Sequence, residues 1–525
     1  MRIAIATFLA LAITAGAWAQ NPMTFIRTYN HPGYNNFFGM GMTCGNFNAD
    51  SCEDMLIGDF GWNEDRGKNY LFFGRPEFPP NVPDWTVQGT EVNELFDIVD
   101  RNIGDINGDG VDDFSITVAL YGYTGPRAAE VDVFFGGEAL DTIPDWVYHA
   151  PIPQNMYLWD VDSCGDVNGD GGQDLVISEL KWNEDITSIH VFHGGEALDT
   201  IPDWTVHWWG NPNIVRGLGD VNGDGFADIL HLDMYSPTCV YFGGSPMDTI
   251  PDVVFEGSSW YWKGTPCRDF NGDGYNDLAL AWFIPDSNAH RDAVFFGGPD
   301  MDNIPDMVLE KWYGGFSLAY DGMGCGDFNG DGWGDIVSVT GYYGSANAVQ
   351  IFLGSATPNA QPDAFILGNP YKEFGFNVAS GDIDGDGRDE ILIGEKDLYG
   401  YSPWKVHLYD GPETWIDYGI AAVPPAELQR HPGWFHLAQN YPNPFNASTT
   451  LRFQIGKPST VSLRVYDLQG NRVRTLIADK FMLPGGCSVA WNGKNEQGSP
   501  AASGMYLAEI QVEAYRQTKK MILLK

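Results

Sequence analysis

The chain has 525 residues, 43% hydrophobic and 19% charged, with 64 glycines, 32 prolines and 14% aromatics. That mixture describes many short strands joined by tight turns and argues against helical bundles and fibrous repeats. With 70 Asp+Glu against 29 Lys+Arg and a net charge of -41, it also argues against nucleic acid as a partner, because neutralising phosphates needs a basic surface.

The charge divides the chain. From Leu437 onward there are 11 Lys+Arg and 5 Asp+Glu, whereas the preceding residues hold 18 against 65. Two regions of opposite sign predict two domains with different tasks.

In chain order, Met1 and Arg2 lead into IAIATFLALAITAG and then Ala17-Trp18-Ala19. A charged start, an apolar run and a small-x-small site predict a signal peptide, residues 1–19, cleaved after Ala19. The apolar run is shorter than the ~20 residues of a membrane span. No later segment is apolar enough to cross a bilayer, so the mature chain is expected to be soluble or surface-attached.

Residues 20–420 repeat one unit. The strings GNFNADSCED, GDINGDGVDD, GDVNGDGGQD, GDVNGDGFAD, RDFNGDGYND, GDFNGDGWGD and GDIDGDGRDE place their first polar residue at 46, 105, 166, 220, 269, 327 and 382. Each continues with a short apolar run, a variable loop, a β-rich run ending in glycine (YLFFG, VDVFFGG, IHVFHGG, CVYFGG, AVFFGG, QIFLG, VHLYDG), and in six copies a PDW-like string. About four strands per copy, repeated seven times, predict an all-β fold, a seven-bladed β-propeller. Thr24 to Tyr29 stands before the first copy and is expected to complete the last blade. Cys44, Cys164, Cys267 and Cys325 share a repeat position that elsewhere holds Ile103, Leu218 and Ser380, which marks a packing site.

The acidic strings have the chemistry of calcium loops. In DxNxDGxxD, side-chain oxygens at positions 1, 3, 5 and 9 and a backbone carbonyl at position 7 suit a hard cation, and glycine at position 6 permits the sharp turn. The expected ligands of the first loop are Asn46, Asn48, Asp50, Cys52 and Asp54. The next four loops supply Asp105, Asn107, Asp109, Val111 and Asp113; Asp166, Asn168, Asp170, Gly172 and Asp174; Asp220, Asn222, Asp224, Phe226 and Asp228; and Asp269, Asn271, Asp273, Tyr275 and Asp277. The last two supply Asp327, Asn329, Asp331, Trp333 and Asp335, then Asp382, Asp384, Asp386, Arg388 and Glu390. Six Ca²⁺ sites are expected, with a weaker seventh in the first loop, where Ser51 replaces the glycine. An EF-hand or dockerin would need an acid at position 12 and flanking helices; here position 12 is Ile116, Ile177, His231, Leu280, Ser338 and Ile393.

Loop, strand, VYFGG and PDW together resemble the FG-GAP repeats of integrin α-subunit propellers and of bacterial VCBS-type surface proteins, over residues 24 to 420. The resemblance implies that the calcium loops join first and second strands on one face and that ligands use the opposite face. Residues 421–436 form a Pro-containing linker. Beyond it, residues 437–525 alternate apolar and polar as a small Ig-like β-sandwich. The strings NYPNPFN, VYDLQGNRV, WNG, SGMYL and KKMILLK resemble the type A C-terminal sorting domain of the type IX secretion system. That resemblance implies the type IX secretion machinery as a partner, passage across an outer membrane, and a bacterial cell-surface or extracellular destination.

For the propeller, the sequence supports a non-catalytic binding or adhesion module for protein or glycan; the alternative is a polysaccharide-processing, lyase-like enzyme. No HExxH, GxSxG or phosphate loop occurs, and no acid/base cluster breaks the repeat. Loops expected on the face away from calcium carry aromatics, of which Trp208, Trp209, Trp260, Trp262, Trp312 and Tyr313 are the candidate ligand contacts. The repeated Trp85, Trp146 and Trp204 are expected to pack.

Overall fold

The computed structural model describes residues 23–524 apart from 31–36, 60, 62, 64–65, 91–95, 119–128, 151–155, 182–185, 196–197, 210–212, 234–236, 256–263, 285–288, 311–322, 341–347, 369–371, 398–403, 413–414, 416–434, 438–439, 441, 456–458, 468–470, 483–484 and 513–514. The expected leader and most of the expected linker lie outside the described residues. The chain forms two compact units, 1–422 and 423–525.

The first unit is all β. It holds seven four-stranded antiparallel sheets, spanning residues 42–88, 96–149, 156–209, 213–255, 264–308, 323–367 and 372–410. The last sheet has only three strands of its own, and its fourth is the N-terminal strand Thr24–Asn30, paired antiparallel with Lys405–Asp410. The first strands of successive sheets touch one another in order, and the first strand of the seventh touches that of the first, Met42–Gly45, which closes the ring. The fold is a seven-bladed propeller.

The core explains why the second strands read as unbroken apolar runs. Every residue of Asp113–Val118 is buried, because each blade is covered on both faces by its neighbours. Alternate side chains enter different wedges: Ile229 joins Val176 and Val191 between blades 3 and 4, while Leu230 and Leu232 join Leu278 and Leu280 between blades 4 and 5. Such a wedge is the hydrophobic core of one junction, at ~1.5–3 kcal/mol per large side chain buried. The PDW tryptophans close these wedges. Trp85 lies 5.6 Å from Phe114, Trp146 lies 5.6 Å from Phe192, and their indole N–H groups donate to the Asp141 and Asp199 carbonyls of the following blade. Cys44, Cys164 and Cys267 are buried free thiols in the wedges.

The second unit is a sandwich. One sheet pairs Phe435–Leu437, Thr449–Ile455 and Gly485–Trp491; the other orders Arg472–Met482, Ser459–Asp467, Gly504–Val512 and Tyr515–Leu523. Leu451 and Trp491 from one meet Leu463, Ile510 and Met521 from the other in a single core. The NYPNPFN and KKMILLK strings interlock: Phe445 donates to the Ile522 carbonyl at 2.9 Å, Leu524 donates back at 2.8 Å, and Asn443 Oδ1 accepts from the Ile522 N–H.

Candidate functional site

Each acidic loop joins the first and second strands of its blade. In the second loop Asp105 Oδ1 accepts N–H bonds from Gly108 and Asp109, and Oδ2 accepts one from Gly110 at 2.7 Å. Asn107 Oδ1 accepts from Asp109, and Asp109 Oδ1 accepts from Val111. Gly108 and Gly110 stand at φ of 78° and 93°, a left-handed backbone that L side chains avoid. The residues expected to offer a position-7 carbonyl (Cys52, Val111, Gly172, Phe226, Tyr275, Trp333 and Arg388) all donate their N–H to the position-5 carboxylate. The first loop lacks both glycines, with Ala49 and Ser51 in their places, and Ala49 takes the left-handed conformation at φ 66°. Asn48 Nδ2 donates to Asp50 Oδ2, while the buried Asn46 Oδ1 has no partner.

Position 9 has a second task that local spacing does not reveal. Asp54, Asp113, Asp174, Asp228, Asp277 and Asp335 are fully buried at the root of the loop. In Asp113, one oxygen accepts the Ile106 N–H at 3.0 Å and the other the Gly136 N–H at 2.8 Å, tying the loop to the end of the third strand. The other five make the equivalent pair of bonds, for example Asp228 with Val221 and Gly243. Burial outweighs these amides and pushes the carboxyls of Asp113, Asp228 and Asp277 up to about 7 and that of Asp54 to about 8.

The last loop differs. Glu390 is one methylene longer; its Oε2 accepts the Ile383 N–H at 2.8 Å, but Oε1 is buried without a partner, as is Asp382 Oδ1. Asp382, Asp384 and Glu390 each bring one carboxylate oxygen within 4.8 Å of the others, the one such convergence among the described residues. Burial, followed by the neighbouring Asp384 charge, pushes Glu390 up to about 9. Buried oxygens short of counter-charge in an all-oxygen donor set fit a hard divalent cation. Arg388, two residues before Glu390, pairs with Asp386.

The loops are also linked around the ring. The position-8 N–H of one loop donates to the position-1 carbonyl of the preceding one: Asp112 to Asn46, Ala227 to Asp166, Gly334 to Asp269, Asp389 to Asp327. A second bond runs from the end of the third strand to the position-2 carbonyl of the preceding blade, as from Gly137 to Phe47 and Gly195 to Ile106.

At the other end of the blades, Trp209 pairs with Ile186, which pairs with Lys181, the end of the second strand farthest from the acidic loop. Trp209 is 76% exposed there. Trp208 instead turns inward, donating its indole N–H to Tyr241 Oη at 2.7 Å and lying 5.0 Å from the His231 ring. Trp260, Trp262, Trp312 and Tyr313 lie outside the described residues. Sequence reasoning missed a buried polar chain at this end of blade 3, where Tyr148 donates to Glu179, Glu179 meets His190, and His190 meets Thr205. Blade 7 repeats it with Glu395, His407 and Thr28. The signal was available as His at the same distance before the third-strand glycine in IHVFHGG and VHLYDG.

Residues 327–393 match the FG-GAP-like repeat, and residues 439–524 match the secretion system C-terminal sorting domain. An FG-GAP-like repeat thus lies in the propeller, and a secretion system sorting domain makes up the tail. Integrin alpha-IIb of Mus musculus is 30% identical over 170 residues, 29% of this chain and 16% of that protein. Integrin alpha-IIb of Homo sapiens is 28% identical over 155 residues, 26% of this chain and 15% of that protein. This chain therefore matches under a fifth of the length of either relative. A crystal structure of BBS1N in complex with ARL6DN superposes with a TM-score of 0.43 and 10% identity, covering 75% of this chain and 99% of that one. The sorting domain implies secretion to a cell-surface or extracellular location, and no helix among the described residues is long and apolar enough to cross a membrane.

Proposed function

We propose that this protein is a calcium-binding propeller that serves as a non-catalytic binding or adhesion module for a protein or glycan outside the cell, delivered by its sorting tail. The observation that carries the metal reading is the convergence of Asp382, Asp384 and Glu390, with Asp382 Oδ1 and Glu390 Oε1 buried and unpartnered. Ca²⁺ bound there would supply the positive charge that these oxygens lack; the chain's own part is to hold them, through the Ile383 N–H on Glu390 and the Gly387 N–H on Asp382. Two features favour binding as the task. The acidic loops crowd one end of the ring, and Trp209 presents an exposed ring at the other.

The test is a glycan and protein array probed with the full chain, with Trp209→Ala as control. Binding that weakens in the variant supports the reading. Turnover of a bound polysaccharide to unsaturated fragments would replace it with the lyase reading.

A further inference from the structure

The last acidic loop sits where the two ends of the propeller meet. Its Asp382 carbonyl accepts the Glu53 N–H at 2.8 Å, and its Ile383 carbonyl accepts the Arg75 N–H at 2.8 Å, both from blade 1. The Ile383 side chain is fully buried in the wedge between blades 7 and 1, with Met55, Tyr70 and the N-terminal strand's Tyr29. The same two residues frame the ion site. The Asp382 carboxylate belongs to the convergent trio, and the Ile383 N–H holds Glu390. Every atom that positions blade 1 on this loop is thus at most one residue from an oxygen left without counter-charge.

We propose that a divalent cation held by Asp382, Asp384 and Glu390 is the clasp of the ring, locking blade 7 onto blade 1. The inference rests on the calcium reading above and adds a location and a role to it. In a ring of repeats each blade touches only its neighbours, so opening costs one junction wherever it occurs. At every junction the chain runs from a fourth strand into the next blade's first strand, but in blade 7 that fourth strand is Thr24–Asn30, which is joined to the three strands within residues 372–410 by pairing alone. Those three strands are held to blade 1 by Lys405–Asp410 pairing with Thr24–Asn30, itself anchored on blade 1 by Tyr29 Oη donating to the Pro79 carbonyl at 2.7 Å, and by the last loop. That loop is also the one where three carboxylates converge. Without the ion their repulsion acts on Asp382 and Glu390, the residues that hold the Glu53 amide and, through Ile383, the Arg75 amide. In the third loop, by contrast, Asp174 already has both oxygens on amides, so the junction it makes with blade 4 depends less on an ion.

The test is hydrogen exchange followed by mass spectrometry on the full chain, with Ca²⁺ as the only added ligand and calorimetric titration to establish that it binds. Peptides covering 24–30, 53–59 and 71–75 report the seam; peptides covering 227–233 and 243–247 report the junction on the third loop. Chelating Ca²⁺ from about 100 times its Kd is expected to speed exchange at the seam by about 100-fold. Glu390→Gln, which keeps an acceptor for the Ile383 amide, is expected to do the same in the presence of Ca²⁺, whereas Asp170→Asn leaves the seam unchanged. Absence of Ca²⁺ binding in the titration overturns the calcium reading and the clasp with it. Ca²⁺ binding with seam exchange unaltered, or altered no more than at the third-loop junction, overturns the clasp alone.

Discussion

The Trp415 indole nitrogen donates to the Phe328 carbonyl at 3.2 Å, across the junction between blades 6 and 7. At the other junctions a backbone N–H fills this role, such as Gly298 on Val221 and Ser355 on Phe270. Blade 7 has Pro412 at the corresponding place, and proline has no N–H to give. Trp415→Phe is expected to leave a carbonyl on the fully buried Phe328 unpaired and to cost about 1 to 3 kcal/mol in denaturant unfolding. An unchanged midpoint would show that water replaces the indole.

The tryptophans of the ring divide by task. Trp146→Ala should cost about 3 to 5 kcal/mol, because it empties the wedge against Phe192 and removes the bond to Asp199. Trp209→Ala, at an exposed strand end, should change stability by no more than about 0.5 kcal/mol. Thermal melts of the two variants decide it; equal losses would place Trp209 in the fold rather than at a binding face.

His231 makes the ring acid-sensitive. It is fully buried, neither ring nitrogen has a partner, and burial lowers its pKa to about 3, from about 6.5 in the unfolded chain. The folded state therefore refuses a proton that the unfolded state accepts. The neutral ring's contribution is complete above pH 6.5 and is lost as pH falls from there toward 3, at roughly 1.4 kcal/mol per pH unit. His231→Leu should flatten the decline of stability between pH 6 and 4 (approximate bounds from the same two pKa values) by about one proton. An identical pH slope in the variant would assign the acid sensitivity to other groups.

Much of the ring was legible because its unit is written seven times. The polar and glycine positions of GDxNGDG return at the spacing of a blade, and the segment before Phe47 that could not start a blade of its own became the fourth strand of the last one, Thr24–Asn30. What the sequence hid are bonds made to residues a whole blade away. Asp113 reads as one more calcium ligand, yet its oxygens meet Ile106 and Gly136. Asp112 has no local pattern at all, and it accepts the Asn46 N–H from the preceding blade. Glu390 differs from the six aspartates at its position by one methylene, which leaves a carboxylate oxygen without a partner where the others are engaged.

The tail is expected to be separable. Its core cluster lies within residues 437–523. A chain ending before Leu437 should melt as a cooperative ring and fail to leave the cell, measured by calorimetry and by fractionation of the native host. Surface display of the truncated chain would remove the sorting role, and aggregation would show that the sandwich supports the ring.

Metal content tests the calcium loops most directly. The full chain, purified in Ca²⁺ and dialysed against calcium-free buffer, should retain several Ca²⁺ ions by elemental analysis and should melt at a lower temperature once chelator removes them, since an ion bound only by the folded state adds its binding energy to stability. No retained calcium, with the same melting temperature in calcium and in chelator, would contradict it.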